Sequence, residues 1–146
     1  MPDQTPAELA AAWVDLWNGD LALSPSIVAT DFVSHAAPLF GGAAADNTGR
    51  DLLERWISGA HAVFADLRFK VQLGPFQDGD FVILRWKAQG TYTGVLPGTA
   101  PNAKGRTVEF YGTDTLRISD GLIREYWANA DSLWVVQQIG RQYVPA

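Results

Sequence analysis

The chain contains no cysteine. That single absence removes disulfides, thiolate nucleophiles and thiolate metal ligands together. Histidine is nearly absent too: His35 and His61 are the only two, so a zinc site built from several imidazoles is excluded. Positive charge is scarce, with eleven Lys and Arg against sixteen Asp and Glu and a net charge of −5. No Lys/Arg cluster occurs, and a nucleic-acid binder needs a basic face, so that class is set aside. Long apolar runs are missing as well; no stretch of roughly 18 such residues exists, so no membrane span is expected. Met1-Pro2-Asp3-Gln4 lacks the basic stretch and apolar run of a secretory signal, which makes the cytoplasm the expected location.

What the chain does have is apolar bulk. Of its 146 residues, 47% are hydrophobic and 12% aromatic, enough to build one core and also to line a cavity. The length suits a single domain spanning residues 1–146. Thr5-Pro6-Ala7-Glu8 reads as a helix start, with Thr5 as cap, Pro6 in the first turn and Glu8 completing a capping box. Leu9, Trp13, Leu16 and Trp17 follow at helical spacing, and Asn18-Gly19-Asp20 ends the helix. Residues 24–29 suit a second, short helix, and 31–35 the start of a strand. The small residues of 36–49 read as a loop. Helical spacing returns over 51–64, with Leu53, Trp56, Ile57, Ala60 and Phe64 as its buried stripe.

From residue 67 the period changes to two. Leu67, Phe69, Val71 and Leu73 predict one face of a strand, and Gln77-Asp78-Gly79-Asp80 a turn. Strands over 81–93, 106–118 and 122–130 follow, with a Gly/Pro-rich rim loop at 94–106. Asp131-Ser132 opens a last helix, with Asp131 read as its N-cap. Helices first and antiparallel strands after predict an α+β fold, a curved antiparallel sheet with helices on its concave face. Such a sheet encloses a pocket at its open end.

The polar residues that share an apolar face carry the chemistry. On the strand 108–118, Asp114 falls in line with Val108, Phe110, Gly112, Leu116 and Ile118. A carboxylate buried alone is costly, so Asp114 must be protonated or partnered. A three-residue loop at 119–121 sets Asp114 opposite Tyr126, with Ala128 and Ala130 on the same inner face. A two-residue loop slips the register and puts Trp127 in that place. The first is expected, because the second drives Glu125 inward. Val33 and His35 share a strand face, and His35 is the other proton-transfer group expected to face the cavity. Each has a plainer reading: Asp114 as a structural carboxyl, His35 as a strand-end histidine, Tyr126 as a packing residue. Trp13, Phe40, Trp56, Trp86 and Phe110, with Ala128, are the expected lining for an apolar ligand, though singly each tryptophan reads as core.

The run GTYTG…GRTVEFYGTDTLRISDGLIREYW…QQIG resembles the C-terminal half of SnoaL-like polyketide cyclases, in the nuclear-transport-factor-two-like superfamily that also holds the ketosteroid isomerases. The helix ending in NGD, then DFVSHAAP, then Gly-Arg before the second helix extend the resemblance over nearly the whole chain. It implies a cone-shaped α+β barrel with a deep pocket, paired as a homodimer through the sheet. It implies acid/base chemistry on a small apolar carbonyl compound, without metal or cofactor. By motif order the isomerase's general base falls on His35 and its protonated oxyanion-hole aspartate on Asp114, where Asp114-Thr115-Leu116-Arg117 matches a D-x-[LM]-R pattern. The cyclases' catalytic aspartate, counted from Gly121, falls on Ala128, and the isomerase's inward tyrosine is replaced by Ala12 and Trp13. An epoxide-hydrolase-like Asp-Arg-Asp set is ruled out, since Arg85-Trp86-Lys87 offers no aspartate. The expectation is a cyclase or isomerase in which His35 takes a proton and Asp114, with Tyr126, holds the enolate oxygen. The alternative is a binding module of the same fold without chemistry.

Overall fold

A computed structural model describes residues 3–141. Helix α1 spans Pro6–Trp17. Thr5 Oγ1 accepts the Glu8 N–H at 3.1 Å, and Pro6 stands in the first turn, where its missing N–H costs nothing. Leu9, Trp13, Leu16 and Trp17 are buried, so the helix lays the expected face inward. Beyond its end, Asn18 stitches α1 to the sheet: Nδ2 donates to Phe69 O at 3.1 Å and Oδ1 accepts Phe69 N–H at 2.7 Å. A 3₁₀ turn at Leu21–Leu23 leads into the short α2, Ser24–Ile27. Strand β1 is Val28–Ser34 and β2 only Asn47–Thr48. Helix α3, Arg50–Val63, buries Leu53 and Ile57. Strands β3 (Phe64–Asp78), β4 (Phe81–Tyr92), β5 (Thr107–Ser119) and β6 (Leu122–Ala130) follow, then α4 (Ser132–Gln138).

The six strands form one sheet in the order β2-β1-β6-β5-β4-β3. It is curved and unclosed, an α+β architecture with the helices packed against it. The antiparallel order expected of the strands from residue 67 onward holds at every pairing among them, and β1 adds one parallel seam against β6. Alternation behaves as read along β4, where Val82, Leu84, Trp86 and Ala88 are buried, and along β5, where Val108, Phe110, Asp114 and Leu116 are. It fails on β3. Burial stops near Phe69, where α1 ends, and Val71 and Leu73 are 42% and 56% exposed.

The β5–β6 turn holds the informative correction. Asp120 (φ 54°) and Gly121 (φ 71°) both take the left-handed region, the signature of a two-residue hairpin turn. Ser119 therefore pairs with Leu122 and Ile118 with Ile123. The register then shifts by one, so Arg117 pairs with Glu125 and Arg124 is the extra residue. Arg124 is held at this bulge by Nε donating to Ser119 O (3.1 Å) and Nη1 donating to Asp31 (2.9 Å). Turn and bulge together restore the parity that keeps Tyr126 inside, but two residues away from the expected position. Asp114 stands directly opposite Ala128, and Leu116 opposite Tyr126.

Candidate active site

A hollow of about 150 Å³ lies between the helices and the inner face of the sheet. Its walls include Trp13 and Trp17 of α1, Trp56 of α3, Trp86 of β4, Phe110 of β5 and Tyr126 of β6. Asp114 is its one carboxyl group and Ala128 lies beside it. Gly112, opposite Trp86, makes the arrangement fit: a Cβ there would stand 2.2 Å from the Trp86 ring. Edge-to-face contacts lock the aromatic walls, with Trp13 and Tyr126 centroids 4.8 Å apart and Trp86 and Phe110 5.7 Å apart.

Asp114 is 4% exposed. Trp13 Nε1 donates to its Oδ2 at 2.9 Å, and the Tyr126 hydroxyl donates to Oδ1 at 3.4 Å. Burial is the dominant influence and disfavours the anion; the Trp13, Trp86 and Tyr126 donors act against it, and the net result is a pKa raised to about 6. Trp86 Nε1 is buried and closes no hydrogen bond, so it acts on the carboxylate as a nearby dipole. Tyr126 is pushed well above the usual phenol range, first by burial and then by the Asp114 charge, so its proton stays in place at neutral pH. The floor of the hollow thus pairs a carboxylate that titrates near neutrality with a phenol that remains a donor.

Two expected site residues lie elsewhere. Phe32 and Ser34 of β1 are the buried ones, so Val33 and His35 point to the other face of the sheet. There His35 Nδ1 lies 2.6 Å from Asp46 Oδ1 and Nε2 lies 2.7 Å from Glu125 Oε2, with the ring stacked on Trp127. The Glu125 hydrogen bond, then that of Asp46, raises the imidazole pKa, so the carboxylates on either side favour its cationic form. Arg117 Nε completes the cluster by donating to Glu125 Oε1 at 2.6 Å. Phe40 is also absent from the hollow and packs against Phe64, centroids 6.2 Å apart. Asp131 does occupy the residue before α4, yet its carboxylate accepts the Tyr111 N–H at 3.2 Å and caps no helical N–H. Trp17, Phe69, Asn129 and Ser132 line the hollow without having been singled out; Trp17 was legible only as part of the α1 stripe. Among the described residues no group of three or more His, Cys, Asp or Glu is placed to hold a metal ion, and no helix is long and apolar enough to cross a membrane.

The profile of SnoaL-like polyketide cyclases matches residues 7–139. No curated protein matches the chain. Among solved structures, IdmH from Streptomyces antibioticus, a candidate polyketide cyclase, is 28% identical and aligns over 94% of this chain and 99% of its own with a TM-score of 0.80. A candidate polyketide cyclase from Acidithiobacillus ferrooxidans is 22% identical over 95% of this chain and 97% of its own, with a TM-score of 0.76. A protein of ketosteroid isomerase-like fold from Catenulispora acidiphila, bound to trimethylamine, is 21% identical over 97% of this chain and 100% of its own, with a TM-score of 0.74. The last two similarities concern the fold alone.

Proposed function

Since the chain belongs to the SnoaL-like polyketide cyclase family, we propose that it is a cofactor-free acid/base enzyme that closes or isomerises a small, apolar, carbonyl-bearing molecule. The observation that carries this reading is Asp114: a single carboxyl group inside an aromatic hollow, with a pKa of about 6. At neutral pH such a group is mostly ionised, yet basic enough to take a proton from carbon beside a carbonyl. The roles foreseen from the sequence are therefore reassigned. His35 is held on the far side of the sheet, and Asp114 is the base in place of the donor.

Asp114 takes the α-proton, and the C–H electron pair becomes the enolate. Tyr126 O–H, kept protonated by its surroundings, turns from Asp114 Oδ1 as that carboxyl takes up the proton and hydrogen-bonds the developing oxyanion, where one such donor is worth about 10²–10³-fold in rate. In a ring closure the enolate carbon attacks a second carbonyl carbon, the new C–C bond forms, and the resulting alkoxide recovers the proton from Asp114. In an isomerisation the proton returns to a different carbon. Trp13 N–H keeps Oδ2 in place throughout. Ala128, where the family's aspartate is expected, sits directly opposite Asp114, so the neighbouring strand supplies a carboxylate to the same floor. We place this reaction in the cytoplasm, with which a cysteine-free chain is compatible.

Ala128 also supports the second reading, a binding module without chemistry. Hydrogen–deuterium exchange at the α-carbon of phenylacetone, followed by proton NMR, separates the two. The enzyme reading expects acceleration by the protein and a loss of about 10²–10⁴-fold in Asp114→Asn. Binding of phenylacetone without accelerated exchange would establish the module.

A further inference from the structure

The segment from Ala36 to Asp46 is a strap held at both ends and slack between them. Before it, the His35 N–H donates to Tyr126 O at 2.8 Å; after it, Asn47 pairs with Ser34. Inside it, among the described residues, one backbone hydrogen bond forms, from Gly41 N–H to Pro38 O at 3.1 Å, and residues 41–46 are exposed. Yet the strap is a wall of the site, because Ala37 and Leu39 line the Asp114 hollow.

The His35 cluster ties this strap to the outside of the sheet. Both ring nitrogens face carboxylate oxygens, Asp46 Oδ1 at 2.6 Å and Glu125 Oε2 at 2.7 Å. Two carboxylates call for two N–H donors, and only the imidazolium has both. Trp127 stacks on the ring with centroids 4.9 Å apart and fixes its plane. The two carboxylates are not equally held. Glu125 stands on β6 and also accepts from Arg117 of β5 at 2.6 Å. Asp46 has a side chain 74% exposed and, among the described residues, no other polar partner. A neutral imidazole turns a lone pair toward one of the two carboxylates. Asp46 is the one able to move away, and the strap moves with it.

Resting on the reading that the Asp114 hollow is the ligand site, we propose that His35 is a positioning residue: its imidazolium latches the strap 36–46 over that hollow, and loss of its proton releases the strap. Glu125 and Asp46 raise the imidazole pKa, so the latch is closed in mild acid and opens as pH climbs through the folded value. The latch lies on the far side of the sheet from the ligand, so it biases the empty and the occupied site alike. Entry and exit therefore quicken together while affinity stays the same.

The test sets Asp46→Ala, which removes the exposed end of the latch and leaves the sheet untouched, beside wild type at pH 5.5 and 8.5. Carbon-13 relaxation of the alanine methyls reads the strap without any ligand. At pH 5.5 the Ala37 methyl is expected to be more ordered in wild type than in Asp46→Ala, and at pH 8.5 equally mobile in both. Association and dissociation rate constants of phenylacetone, from NMR line shapes, are each expected to be about two- to fivefold larger in Asp46→Ala at pH 5.5, with the ratio returning to one at pH 8.5 and the dissociation constant unchanged. His35→Gln is expected to repeat the pattern from the other end of the latch. Equal methyl order in the two proteins at pH 5.5, a wild-type strap equally ordered at both pH values, or unchanged rate constants beside a loosened strap overturn the proposal. Exchange at the α-carbon of phenylacetone reports on Asp114 separately. The methyl and rate pattern without exchange keeps the latch and removes the catalysis; exchange without that pattern does the reverse.

Discussion

Trp13 Nε1 donates to Asp114 Oδ2 across 2.9 Å, joining the first helix to the floor of the sheet over 101 residues of sequence. The bond favours the carboxylate form that burial disfavours. Removing the donor leaves the burial penalty and takes away a charge-assisted hydrogen bond, of about 1.5–3 kcal/mol. Trp13→Phe is therefore expected to move the pH inflection of α-proton exchange upward by about one to two pH units. An unchanged inflection in a folded Trp13→Phe would show that the indole does not tune the carboxylate.

Asp114 costs the fold stability at neutral pH. Its folded pKa, about 6, lies above the ordinary aspartate value of 3.8, so the native state holds a proton between these values that the unfolded chain releases. Stability then declines as pH rises from about 4 to 6, and above 6 the full cost applies, about 3 kcal/mol. Asp114→Asn is expected to unfold at higher temperature than wild type at pH 7–8, with the gap closing toward pH 4. Thermal denaturation at both pH values checks this; a variant less stable at pH 8 would mark Asp114 as a structural carboxyl.

His35 behaves in the opposite role, as a fastener. Its folded pKa is raised above 6.5 by Glu125 and Asp46, so its pairing contributes fully below pH 6.5 and is lost as pH climbs through the folded value. His35→Gln is expected to be less stable than wild type at pH 5.5, with the difference shrinking in alkali. Its exchange rate with phenylacetone should fall far less than the ~10²–10⁴-fold expected for a lost general base. A loss of that size with intact folding would return His35 to the catalytic machinery.

These residues mark how far the sequence could be read. The Thr5 cap, the α1 stripe and the alternation of β4 and β5 are local patterns whose physics is local, and from them the inward Asp114 followed. The three-residue loop expected at 119–121 is wrong: it was favoured because a two-residue turn alone drives Glu125 inward, and the bulge at Arg124 that removes this objection depends on Asp31, 93 residues away. His35 went astray because a short strand beside a loop does not reveal which of its faces meets the helices. Phe40 sits in that loop, whose path is set by contacts such as Phe64 rather than by its own residues.

We propose, finally, that two copies pair through the outer face of the sheet. Phe81 and Ile83 alternate with buried Val82 and Leu84 and are 41% and 40% exposed, and Phe81 lies 6.0 Å from Trp127 on the same side. Isolated apolar residues need no partner, but a contiguous apolar face marks an interface. Sedimentation equilibrium should give twice the chain mass for wild type and the chain mass for Ile83→Arg. A monomeric wild type at micromolar concentration contradicts the pairing.

The pH dependence of phenylacetone exchange tests the account most directly. With Asp114 as the base, kcat/KM is expected to rise about tenfold per pH unit in acid and level off above an inflection near 6, and Asp114→Asn to give a low, flat profile. Wild-type exchange that does not change with pH, or the same inflection persisting in Asp114→Asn, would contradict it.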